Sequence, residues 1–148
     1  MNDLTIREYQ QEDWLVTCSI HDKARPIELQ GSCDEKAFVS LAEDKNDIED
    51  FTRSKKYVAC IDDTIVGFVG IEDTEVTWLY VDPNAHGKGI GRRLLQEGLA
   101  NIHTKASTYV LEGNTCARQL YKSEGFKVIK QFKSENNGYP CIVLELSQ

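Results

Sequence analysis

At 148 residues, 41% of them hydrophobic and 28% charged, the chain can bury the core of one domain, about 70% of its unfolded surface, and shows no bias toward disorder or repeats. Its net charge of −7 disfavours nucleic acid and anionic membrane as partners. The acidic opening lacks a secretory signal's apolar core and no apolar run nears the ~20 residues of a bilayer span, so a cytoplasmic protein is expected.

Residues 4–7 alternate as a first strand does. Residues 14–24 have helical spacing through Trp14, Leu15 and Cys18, and Pro26 marks an end or a break. Residues 34 to about 53 read as a second helical region with Ala37, Phe38, Leu41, Ile48 and Phe51 as apolar positions. Within it, residues 34–50 carry seven acids against two lysines.

Three β-rich runs follow, at 57–61, 64–71 and 75–81. The short connections Asp62-Asp63 and Glu72-Asp73-Thr74 join antiparallel neighbours, which makes a meander. After Pro83 and a glycine-rich stretch, a helix runs to about residue 102, burying Ile90, Leu94, Leu95, Leu99 and Ile102. A strand at 107–111, a short helix at 115–124 and strands at 126–132 and 141–146 complete the chain. The last two strands turn through Asn136-Asn137-Gly138. Helices and strands interleave without a linker, so residues 1–148 read as one mixed α/β domain.

Five cysteines (Cys18, Cys33, Cys60, Cys116, Cys141) contain no C-x-x-C pair. They fit neither a disulfide framework nor a zinc site and are expected to be reduced and mostly buried. No cluster has metal-ligand spacing.

The segment from Leu79 to Leu95 concentrates chemistry. Gly87, Gly89 and Gly91 let a ligand approach the backbone closely. The helix that starts there offers free N–H groups and a positive dipole end, which suit a phosphate. Lys88 and Arg92 add charged donors; with Arg93 they make a local basic spot on an acidic chain, better matched to a small anion than to a polyanion. Three readings fit: a purely structural turn, a dinucleotide fingerprint, or a pyrophosphate cradle for CoA. Glu112 stands about twenty residues on, as a ribose-binding acid would. The fingerprint nevertheless needs G-x-G-x-x-G, and here the third glycine is one position early. No P-loop pattern occurs.

The cradle reading rests on a resemblance. Val81-Asp82-Pro83 followed by His86-Gly87-Lys88-Gly89-Ile90-Gly91 resembles the [QR]-x-x-G-x-[GA] signature of the GNAT superfamily, the GCN5-related N-acetyltransferases, with His86 in place of Gln or Arg. Residues 111–126 are similar to that family's strand, asparagine, short helix and Gly-Phe ending. Beside the resemblance, Asn114 suits the helix N-cap. Ala117, Leu120 and Tyr121 share one face, and Gly125 suits the C′ position.

The resemblance implies a mostly antiparallel twisted sheet of about seven strands with about four helices. It also implies acetyl-CoA as cosubstrate, bound by Leu79, Tyr80 and Val81, by residues 86–92 and by Asn114 and Ala117. The sheet is expected to splay beside residues 79–81. The acceptor is a primary amine, on a small molecule or a peptide; the acidic run attracts it or is only a solvated face. Tyr121 is either a core aromatic or the proton donor to the leaving thiolate. A phenol of pKa ~10 is protonated at neutral pH and can donate to a thiolate whose acid has pKa ~8.5.

For the base, alternation sets Glu75, Thr77, Leu79 and Val81 on one face, and the histone-acetyltransferase branch has a glutamate at the position of Glu75. An exposed carboxylate is the plain alternative, and Glu72 or an ordered water could serve instead. Cys116 sits where a thiol pKa can fall; His21 reads as surface or pocket-lining and His103 as solvent-facing. No metal is expected, and a homodimer is possible by family habit. The rival readings are a non-catalytic acyl-CoA-binding sensor or scaffold and a dinucleotide-binding domain.

Overall fold

The structure, a computed structural model, describes residues 3–148. Seven strands form one sheet: β1 (Leu4–Glu8), β2 (Lys55–Ile61), β3 (Thr64–Glu72), β4 (Glu75–Val81), β5 (Ser107–Leu111), β6 (Lys127–Asn136) and β7 (Tyr139–Ser147), in the order β1-β2-β3-β4-β5-β7-β6. All neighbours are antiparallel except β4 and β5. The hairpins close through residues of positive φ: Asp62 and Asp63 (51° and 64°), Asp73 (55°), and Asn137 with Gly138 (50° and 86°). Such turns match the twist of the strands they join.

Four α-helices cover the sheet: α1 (Trp14–Leu29), α2 (Lys45–Arg53), α3 (Ile90–Ala100) and α4 (Thr115–Ser123). On one face, Cys18 and Ile20 of α1 and Phe51 of α2 pack on Val58, Phe68 and Trp78. On the other, Ile90, Leu94 and Leu95 of α3 and Tyr121 of α4 pack on Tyr57, Val69, Val110 and Leu144. The mixed α/β class and the element order agree with the sequence reading.

Two helical expectations need correction. The first helix runs through Pro26 to Leu29. Pro26 removes one N–H, but the turn beyond it is held by Leu29, which is fully buried, and by an Arg25–Glu28 ion pair at 3.1 Å. The second helical region is mostly not a helix. Residues 35–37 and 41–43 are single 3-10 turns, and only Lys45–Arg53 is α-helical. Aspartates break it up: Asp34 caps the first turn, Asp44 accepts from the amide of Asp47 to start α2, and Asp22 captures the amide of Leu41. Short polar side chains that bond nearby amides favour caps over helix interiors.

β4 is also irregular. Gly70 pairs with Trp78 but Ile71 with Val76, so Thr77 is a bulge residue. Val76 therefore joins Leu79 and Val81 on the α3 face, while the Thr77 hydroxyl lies 2.7 Å from that of Ser54 on the α2 side. Glu75, adjacent to Val76, points away from the α3 face. The expectation that Glu75, Thr77, Leu79 and Val81 share one face fails because a bulge resets the period of two.

β4 and β5 meet through one pair only, Glu75 with Ser107. The Ser107 amide donates to Thr74 O at 2.9 Å and the Thr108 hydroxyl to Val76 O at 2.8 Å. Past that point the strands diverge.

Candidate active site

Two cavities occupy the divergence between β4 and β5. The larger, about 390 Å³, is lined by the β4 end, the glycine turn, the start of α4 and the last turns of α1. Ten of the twelve residues expected to hold a cosubstrate line it: Leu79, Tyr80, Val81, His86, Gly87, Gly89, Ile90, Gly91, Asn114 and Ala117. Lys88 and Arg92 do not. Arg92 donates instead to the Ser123 hydroxyl at 2.8 Å and pairs with Glu124 at 3.4 Å.

The turn is built for approach from outside. Gly87 and Gly89 have φ of 82° and 75°, which side-chain-bearing residues rarely adopt, and nothing lies within 4 Å of where a Cβ would stand at either. Gly89 is the N-cap of α3. Among the described residues no acceptor meets the amides of residues 87–92, and the first helical bond from this segment is Arg93 N–H to Gly89 O. Unpaired amides at a helix start, in an open glycine bend, are the features an anion site requires. Apart from Glu28, Tyr80 and Asn114, the rest of this cavity is apolar, with Ala24, Ile27, Val81, Ile90 and Leu120 on its walls, as the arm of a CoA ester requires.

The second cavity, about 270 Å³, is polar and lies among α1, α2, β4, β5 and α4. His21, Arg25, Glu28, Asp47, Asp50, Thr77 and Tyr121 are on its walls. Tyr121 is only 4% exposed and meets Phe126 edge-on at 5.1 Å between ring centres. Burial pushes its phenol above the ordinary value; the nearby Thr108 hydroxyl opposes this, while the charges of Glu28 and Glu75 add to it. The Asp47 carboxylate accepts no hydrogen bond among the described residues, and burial first, then Asp44, raises its pKa. His21 is 2% exposed, with Nδ1 2.9 Å from the Asp22 carboxylate and its ring against Phe38, Trp78 and Tyr80.

Glu75 lines neither cavity. It sits at the closed end of the splay, where burial foremost, then Asp50, Glu72 and Glu145, raises its pKa. Cys116 is exposed and lines the larger cavity, Cys33 is half-buried, and Cys18, Cys60 and Cys141 are buried. His103 is exposed. Among the described residues no group of three or more His, Cys, Asp or Glu could hold a metal ion, and no helix is long and apolar enough to cross a membrane.

The two cavities share five residues: Glu28, Leu79, Tyr80, Asn114 and Ala117. Asn114 caps α4 through Oδ1, which accepts from the Ala117 amide at 3.3 Å, and its Nδ2 donates to Glu28 at 3.1 Å. Sequence reasoning did not single out Arg25 and Glu28, and had Asp47 only as one acid of the run at 34–50. Arg25 and Glu28 have the spacing of a helical ion pair, but ending the first helix before Pro26 hid it.

A family model described as "Acetyltransferase (GNAT) domain" matches residues 52–128. The chain is 32% identical over 112 residues to the peptidyl-lysine N-acetyltransferase YjaB of Escherichia coli (strain K12), covering 72% of this chain and 76% of that protein. It is 35% identical over 91 residues to the YjaB of Salmonella typhimurium, covering 61% of this chain and 62% of that protein. Among solved structures it superposes on the solution structure of apo-form YjaB from Escherichia coli with a TM-score of 0.70 at 26% identity, over 98% of this chain and 97% of that one. A GCN5-related N-acetyltransferase from Rhodopseudomonas palustris has the same fold, with a TM-score of 0.84 at 18% identity, over 100% of this chain and 96% of that one.

Proposed function

The chain belongs to the GNAT acetyltransferase family, and on that premise we propose that it moves an acetyl group from acetyl-CoA to a cationic primary amine by direct attack in a ternary complex. One observation carries this reading: an apolar cavity ending in an anion cradle and a polar, acid-lined cavity meet at one wall inside the splayed sheet. The free amides of residues 87–92 fit a diphosphate, and the apolar walls fit the pantetheine arm beside Leu79 and Val81. The acid-lined cavity fits an ammonium group, with Asp47 as its uncommitted carboxylate.

The amine attacks the thioester carbon, a C–N bond forms and the C–S bond breaks. Tyr121 donates its phenolic proton to the departing sulfur. Burial keeps that phenol protonated across the working pH range. Much of the rate comes from holding the two substrates in line. The names of the YjaB relatives support a lysine side chain as the acceptor.

The test is a thermal shift with acetyl-CoA, CoA and NAD, followed by free-thiol release over a panel of amines that includes a lysine peptide. At a hundredfold excess over Kd, acetyl-CoA should stabilise the fold by ~2.7 kcal/mol, and at least one amine should release thiol. Stabilisation by CoA without thiol release for any amine would identify a binding module. Stabilisation by NAD alone would identify a dinucleotide site.

A further inference from the structure

The acid expected as base, Glu75, stands outside both cavities, whereas another carboxylate stands at their junction. We propose that Glu28 is the base that takes the acceptor's ammonium proton at the point of transfer, a role that rests on the acetyltransferase reading of this site. An amine that reaches a thioester held between β4 and β5 must pass the five residues common to both cavities. Leu79 and Ala117 are apolar. Asn114 is committed to its cap and to Glu28. The Tyr80 phenol is pushed far up, by burial first and then by Glu28. Glu28 alone can accept a proton there.

Its side chain is held for the task. Oε1 accepts from Arg25 Nη1 and Oε2 from Asn114 Nδ2, both at 3.1 Å, so the carboxylate is tied from α1 and from α4 at once. A carboxylate has about four lone-pair sites, and these two bonds leave room for an ammonium donor. The charged and titratable groups around it are Arg25 on its own helix, Tyr80 from β4, Asp47 from α2 and Tyr121 from α4. The Glu28 charge makes Tyr121 harder to ionise. Once Glu28 takes a proton that repulsion is gone, and Tyr121 gives its own proton to sulfur more readily. Deprotonating the nucleophile thus prepares the acid.

The protons balance. The ammonium loses one to Glu28 before attack and a second, as the tetrahedral intermediate collapses, to the Tyr121 phenolate. The departing thiolate gains one through Tyr121. The net product is the amide, free CoA thiol and one proton released to water.

The experiment compares kcat/KM against pH for the wild type, Glu28→Gln, Glu28→Asp and Glu75→Gln, using an amine that the wild type acetylates and measuring acetyl-CoA affinity by calorimetry. Glu28→Gln should lose about 10²-fold or more at neutral pH while still binding acetyl-CoA. Its rate should then climb about tenfold per pH unit with the free-amine fraction and approach the wild type near the amine's own pKa, ~10. Glu28→Asp keeps a partner for Arg25, so it reports even if the glutamine variant fails to fold; it should recover part of the loss with a displaced pH profile. A wild-type profile in both Glu28 variants overturns the assignment, as does a shift produced by Glu75→Gln instead. Loss of acetyl-CoA binding in both Glu28 variants would make Glu28 a cosubstrate-site residue and would also overturn it. If the wild type releases no thiol with any amine, the acetyltransferase reading has failed, and Glu28 falls with it by a result visible before any variant is made.

Discussion

Tyr121 could be singled out as a candidate before any coordinates, because what marks it is local: an asparagine cap, an i, i+3, i+4 face and a Gly-Phe stop within a few residues. Tyr121→Phe should lower kcat roughly 10²-fold with acetyl-CoA affinity unchanged, measured by steady-state kinetics and calorimetry; an unchanged kcat would remove it from the mechanism. Glu28 was not recognisable in the same way, because its partners come from another turn and another helix, and Pro26 obscured the turn. A structural residue gives a separate test. Asp13, 4% exposed, accepts from both Arg7 nitrogens at 2.8 and 3.0 Å and from the Gln10 amide at 2.8 Å. The Arg7 hydrogen bond, foremost, holds its carboxyl below the usual range. A depressed folded pKa adds stability that is present above the unfolded value, about 3.9, and lost as pH falls through the folded one. Asp13→Asn should therefore cost about 1–3 kcal/mol at pH 7, and the gap in melting temperature should begin to narrow below about pH 4 and close only below the folded pKa.

Among the elements, the strands were legible and the irregularities were not. The meander could be read from β-rich runs joined by connections of two or three residues, two of them acidic in each case. The bulge at Thr77 could not, since the alternation of Glu75-Val76-Thr77-Trp78-Leu79 looks regular until Gly70 and Ile71 set the register. Residues 34–44 failed as a helix for a reason that can be seen afterwards in their aspartates, which cap turns instead of continuing them. Close approach between elements is also hidden in the chain. At Gly67 of β3 a Cβ would stand 2.8 Å from the Tyr80 carbonyl and 2.9 Å from Leu94 Cδ1. Gly67→Ala should therefore push β4 and α3 off β3, costing about 1–3 kcal/mol in chemical denaturation. Because Tyr80 lines both cavities, acetyl-CoA affinity should fall with it, and a variant of wild-type stability would show that β4 has slack.

For the molecule as a whole, the layer order followed from the interleaving of helices and strands, and the open bend at residues 87–91 from its glycines. The acceptor side was harder to read because it is assembled from α1, α2, β4, β5 and α4, which are far apart along the chain. What sets this sheet apart is how little strand pairing joins its two halves, although they share one core on the α3 side. β1 to β4 and β5 to β7 are bound to each other across the sheet by one residue pair and two flanking hydrogen bonds. A ligand lying in that gap is then a structural member as well as a reactant. Amide hydrogen exchange should report it: without CoA the facing edges of β4 and β5 should exchange by local opening of each half-sheet, and at saturating CoA both should slow together. With the core on the α3 side common to both halves, an empty enzyme would open only along this seam, and a bound nucleotide would close it.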